Sequence, residues 1–166
     1  GCKTRPSDNG WGGGDRPIIN VSYTMIVSEY LPWLSRKAKA RYRLPTEAEW
    51  NAFAQRAGGS AGQKGNLLPT DETVPVTSLP ANNEGVSGLL GNVWEWVDDC
   101  RTVGFVEEKV NTPCSHRIVR GGAWSSKREN LNIEARGWES VSKTSNAIGF
   151  RVLRELDQAV GEVISP

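Results

Sequence analysis

The sequence predicts an α+β fold with a large share of irregular chain, and three observations carry that reading. Seven Trp and 18 Gly stand beside only three Phe in 166 residues, of which 37% are hydrophobic. This composition suits loops pinned by a few large aromatics, with Gly permitting tight turns and close backbone approach. Helical signals are confined to the first third of the chain. Beyond it, apolar segments are short and lie between runs of Gly, Ser, Asn and Asp, as strands joined by turns do.

Residues 1–16, with Pro6, Gly10, Gly12, Gly13 and Gly14, form an irregular lead-in, and Pro17–Ser22 reads as a short extended segment. Ser22 is placed to cap a helix through about Lys37, with Met25, Ile26, Tyr30, Trp33 and Leu34 on one side. Pro32 predicts a kink, since it removes an interior donor at a cost of about 3 kcal/mol in a straight helix. Thr46 and Glu49 form a capping box for a second helix that carries Trp50, Phe53 and Ala54 and ends at Gly58-Gly59. Residues 58–73 read as a surface loop, with a strand beginning near Val74-Pro75-Val76. A strand over Trp94-Glu95-Trp96, a long polar loop over 98–116 and strands around Arg117–Arg120 and Gly149–Leu153 follow. The tail 155–166 is expected to fray. There is no internal repeat.

The length suits one domain, taken as residues 1–154, able to bury roughly two-thirds of its unfolded surface. Twenty basic residues against 19 acidic ones, with no run of five like charges, leave no electrostatic footprint for nucleic acid or anionic lipid. Neither a membrane span nor a signal peptide is visible. The chain opens Gly1-Cys2-Lys3 without an initiator Met, which suggests an absent upstream piece. Cys100 and Cys114 bracket a loop of a length suited to a local disulfide in an oxidising compartment; the alternative is two free buried thiols. The disulfide would favour an extracellular, periplasmic or cell-surface location.

Residues 88–96, Gly-Leu-Leu-Gly-Asn-Val-Trp-Glu-Trp, place one carboxylate between two tryptophans directly after a Gly-Asn turn signal. Strand alternation puts Trp94 and Trp96 on one face and Val93 and Glu95 on the other. Arg120, Arg136 and Arg151 are suited to fixing loops through bidentate bonds to carboxylates and carbonyls. His116, the only histidine, falls short of a zinc ligand set with one nearby Cys and reads as a surface loop residue. No P-loop, Gly-x-Ser-x-Gly or His-Glu-x-x-His is present.

Together with Arg43–Trp50, Val119–Trp124 and Ile148–Val152, in that order, residues 88–96 make the chain resemble the formylglycine-generating enzyme, or sulfatase-modifying factor, family. The resemblance spans roughly residues 16–154 and implies a C-type-lectin-like fold that is N-terminally incomplete, Cys2 lacking its usual upstream neighbour. It also implies a calcium site in which Gly91 and Val93 supply carbonyls and Glu95 a carboxylate. Gly88 stands where the family commonly has Asp or Asn, which should weaken that site. Read from the residues alone, Glu95 instead bonds to neighbouring amides or to an Arg.

The family's oxidases hold copper on two cysteines five residues apart, because soft thiolates bind Cu(I) and exchange with a substrate thiol. The corresponding positions here are Arg128 and Ile133, so no catalytic residue is assigned and no copper is expected. The family's iron-dependent branch needs several His, which the chain cannot supply. Residues 124–146 instead interleave aromatic and adaptable polar side chains: Trp124, Ser125, Lys127, Glu129, Asn130, Asn132, Trp138, Ser140, Lys143 and Asn146. Such a mixture resembles a paratope. It also resembles the stretch that variable proteins of diversity-generating retroelements diversify. The expected function is a non-catalytic module binding a protein or small-molecule ligand; the alternative is O2-dependent oxidation of a sulfatase peptidyl cysteine to formylglycine.

Overall fold

The computed structural model describes residues 4–56, 70–82, 84–101 and 114–156. The expected helix stop at Gly58-Gly59, most of the loop 58–73, Cys2 and the tail beyond Leu156 lie outside those residues.

Ser22 caps the first helix as its position predicts, accepting the Met25 N–H at 3.2 Å. The helical chain runs through α1 (Tyr23–Met25), a π-helical segment (Ile26–Tyr30) and α2 (Leu31–Ala38). The irregularity expected at Pro32 takes the form of that wider turn, in which Leu31 N–H donates to Ile26 O five residues back. A short strand β1 (Tyr42–Arg43) leads to α3 (Glu47–Arg56). Its capping box is reciprocal: Glu49 N–H donates to Thr46 Oγ1 at 3.2 Å, and Thr46 N–H donates to Glu49 Oε2 at 2.8 Å.

The main sheet has the order β4-β3-β2-β5, from β2 (Trp94–Cys100), β3 (His116–Arg120), β4 (Arg136–Ser140) and β5 (Ile148–Phe150). β2 pairs antiparallel with β3 and parallel with β5, and β3 pairs antiparallel with β4. The final strand β6 (Leu153–Arg154) leaves this sheet to pair with β1. One face carries Trp96, Val119 and Ile148 into a core with Tyr23, Ile26 and Leu31. The opposite face packs Val97 and Ile118 against Trp50 and Ala54 of α3, with Leu89 and Leu90. Helical layers therefore cover both faces, and the two indoles with no exposed surface, Trp50 and Trp96, sit on opposite sides.

Five expectations are corrected. Residues 17–22 are not extended throughout, because Asn20 adopts φ 58° and turns the chain. Val74-Pro75-Val76 does not begin one either: a 3-10 turn occupies Val76–Ser78, and Val74 pairs with the Asn92 carboxamide, which accepts its N–H at 2.9 Å and donates to its carbonyl at 3.1 Å. A side chain thus takes the place of a strand partner. The segment 149–153 is two strands in two sheets, and part of the polar stretch 124–146 is the regular strand β4. Glu155 is not frayed; its N–H donates to Arg41 O at 2.9 Å and its carboxylate accepts from Arg43 Nε at 3.0 Å.

Candidate functional site

Glu95 lies on the α3 face of β2 and is 4% exposed, too buried to remain charged without partners. Arg151, just past β5, supplies them. Its Nε donates to Oε2 at 2.6 Å and its Nη2 to Oε1 at 2.5 Å, a bidentate pair, while the Trp50 indole N–H donates to Oε2 at 2.8 Å. Burial pushes the Arg151 guanidinium down, but the charge and hydrogen bonds of Glu95 outweigh this and hold it above its ordinary value. Parallel pairing makes the contact, since Glu95 lies opposite Gly149 and Arg151 follows two residues on. Any Cβ on Gly149 would lie 2.5 Å from Ile18 O, so glycine is required there.

Gly91 and Asn92, with φ 78° and 62°, form the turn that delivers this strand. Gly91 N–H donates to Gly121 O at 2.9 Å. Gly121 has φ 93° and touches the Leu89 carbonyl so closely that a side chain has no room. Gly88, Val93, Glu95 and Arg151 line part of a cleft of about 730 Å³. The residues there suit calcium only in part. The Glu95 carboxylate is a hard ligand, but Arg151 already brings a positive charge to both its oxygens, and Gly88 adds no side-chain oxygen.

A second charged cluster occupies the same sheet face. Arg120, 3% exposed, stacks over Trp50 at 5.2 Å and donates Nη2 to Asn51 Oδ1 and to Ile133 O, both at 2.6 Å. Its Nε has no acceptor among the described residues. Burial lowers its pKa, opposed by the charge of Glu47. Arg136 opposes Arg120 on β4 and grips Glu47 with Nε at 2.7 Å and Nη2 at 3.2 Å. These geometries agree with the fixing role expected for the three arginines.

Ile133, where the resemblance puts the downstream cysteine, packs its side chain against the Trp50 core and uses its carbonyl to hold Arg120. Arg128 is exposed on the 3-10 turn Arg128–Asn130. An aliphatic chain and a guanidinium offer copper no donor.

The ten surface residues singled out in 124–146 fall into separate neighbourhoods. Trp124 lies by the starts of β2 and β5, half-buried, donating its N–H to Asn92 O at 2.9 Å and its indole N–H to Asn146 O at 3.1 Å. The ring of Trp11 meets it edge-on at 5.5 Å, an aromatic pairing with no local sequence signal. Trp138 lies on β4 at the opposite side of the sheet, across from Ile118, so β3 and β2 intervene between the two indoles. It is 45% exposed, with the Arg101 guanidinium 3.9 Å over its ring. Ser140 ends the same strand, its hydroxyl 3.2 Å from that of Ser142, and Lys143 closes the following turn. Ser125, Lys127, Glu129 and Asn130 are exposed around the 3-10 turn, and Asn132 accepts the Glu134 N–H at 2.9 Å. Cys100 and Cys114 are joined as a disulfide with their Cα atoms 5.6 Å apart.

Residues 1–156 match the family description "Sulfatase-modifying factor enzyme 1-like domain". The chain belongs to the sulfatase-modifying factor family. Among similar proteins, "Serine/threonine-protein kinase Pkn1" of Chlamydia trachomatis is 28% identical over 164 residues, which are 87% of this chain and 25% of that protein. The "Formylglycine-generating enzyme" of Streptomyces coelicolor is 27% identical over 185 residues, 90% of this chain and 56% of that one. This chain thus spans about a quarter of the first relative and about half of the second. Of solved structures, PvdO from Pseudomonas aeruginosa superposes with a TM-score of 0.70 at 31% identity, covering 87% of this chain and 64% of that one. Treponema denticola variable protein 1 shares the fold, with a TM-score of 0.69 at 21% identity over 90% and 74% of the two chains. Among the described residues no helix is long and apolar enough to cross a membrane.

Proposed function

We propose that this family member is a non-catalytic module that binds a protein or small-molecule ligand on the surface built from residues 124–146. One observation carries the reading: the chain has no Cys after Cys114, so the interval where the resemblance puts the copper-holding pair, at Arg128 and Ile133, carries no thiolate. Trp138 is the anchor of that surface, because a partly exposed indole held flat beneath a guanidinium offers a rigid apolar plate at low entropic cost. The half-buried Trp124 supports the scaffold. The shared fold with a variable protein supports residues 124–146 as a stretch in which sibling copies differ.

Incubating the purified domain with copper, O2 and a Cys-x-Pro-x-Arg peptide tests this directly. Mass spectrometry should show the peptide cysteine unchanged, and an O2-dependent formylglycine product would establish the oxidase reading instead. We further propose that any calcium site at Glu95 is weak, for the reasons of charge and missing oxygen given above.

A further inference from the structure

A cleft of about 590 Å³ lies between the Gly-rich lead-in and the first helix. Its size falls within the range of small-ligand pockets, roughly 300–1,000 Å³. One wall is continuous aromatic surface: Tyr30 contacts Phe150 edge-on at 5.2 Å and Trp33 at 5.6 Å. Met25 and Ile26 extend that wall as aliphatic surface.

The polar groups at this cleft are unevenly matched. Glu29 accepts the Thr4 N–H at 3.2 Å and hydroxyl at 3.3 Å, tying the lead-in across the helix, and Asp8 Oδ1 accepts the Gly10 N–H at 3.0 Å. The cationic side is less satisfied. Arg16 spends Nη2 on Glu72 at 2.7 Å, while its Nη1 is buried with no hydrogen-bond acceptor among the described residues. A buried, charged donor without an acceptor is costly, and an anionic oxygen is the partner that offsets most of the cost.

We propose that this cleft binds an amphipathic carboxylate, with its apolar body on the Tyr30–Trp33–Phe150 wall and its carboxylate beside Arg16, whose guanidinium must turn out of its buried position for Nη1 to donate. The site is independent of the 124–146 surface and of the peptide assay, so either proposal can fail alone. Isothermal titration of the chain with decanoate and with uncharged decanol tests it. Decanoate should bind saturably at one site and decanol at least tenfold more weakly. Arg16→Gln should reduce decanoate to the decanol level, and Met25→Trp, which fills the cleft from the helix side, should abolish both. Circular dichroism confirms that each variant is folded, and either one alone decides the question. Absence of saturable decanoate binding overturns the proposal. So does equal binding of decanol, which would mark a seat for an uncharged apolar group, or binding indifferent to the substitutions, which would mark adsorption elsewhere.

Discussion

Glu95 shows how one residue's role changes between strand pattern and packed structure. Alternation correctly turns it from the Trp94 and Trp96 face, but that direction leads into a second core, against Trp50, and not to solvent. Burial at 4% exposure makes Arg151 and the Trp50 indole obligatory partners. Removing one member of such a pair leaves the other charge buried and alone, which costs about 3–5 kcal/mol. Glu95→Gln and Arg151→Met are each expected to lower stability by about that amount in urea denaturation, and the double variant by less than their sum. Strict additivity would show that the pair is not coupled.

At the scale of elements, the legible parts were those with local chemistry. The Ser22 cap, the Thr46–Glu49 box and the strands around Glu95 and Val119 are written in adjacent residues and lie where expected. The illegible parts were set by distant partners. β4 gives no strand signal within the aromatic and polar stretch 124–146 because, as an edge strand, it keeps one flank exposed, with Arg136 and Trp138 at the surface. β1 and β6 are two residues each and exist only through pairing across more than a hundred residues. The α3 start illustrates a local signal strengthened from afar. Arg43 grips Glu49 at 2.7 and 2.6 Å, and this, with the Thr46 bonds, lowers the Glu49 carboxyl to about 2 from 4.5. A depressed carboxyl stabilises the fold above its unfolded pKa, and the contribution is lost as pH falls through the folded value. Glu49→Gln keeps a side chain able to close the capping box but loses the charged pair with Arg43, and should therefore cost about 1 kcal/mol at pH 7, the upper end for a partly exposed ion pair. The gap to the parent should close between pH 4.5 and about 2; a gap that persists at pH 2 would assign the loss to packing.

For the whole molecule, the family and its α+β scaffold were legible because four motifs meet around one sheet: residues 43–50 begin α3, 88–96 enter β2, 119–124 leave β3 and 148–152 form β5. The division of labour among the surface residues was not legible, because sequence proximity cannot show that Trp124 and Trp138 lie across the sheet from one another. The same scaffold decides how the domain answers to calcium. Arg151 joins β5 to β2 by charge, so the sheet does not depend on a bound cation to neutralise Glu95. On the proposal of a weak site, calcium would share that carboxylate with a guanidinium and find no side-chain oxygen at Gly88, so the expected affinity is near the weak end of protein sites, at about 10⁻³ M. By linkage, 10 mM calcium would add about 1.4 kcal/mol, a rise in Tm of about 3–6 °C, while 10 µM would add nothing measurable. Scanning calorimetry across that range distinguishes the cases. A rise in Tm already present at 10 µM would mean that calcium outcompetes Arg151 for Glu95, and the ion pair would no longer explain how this sheet is held.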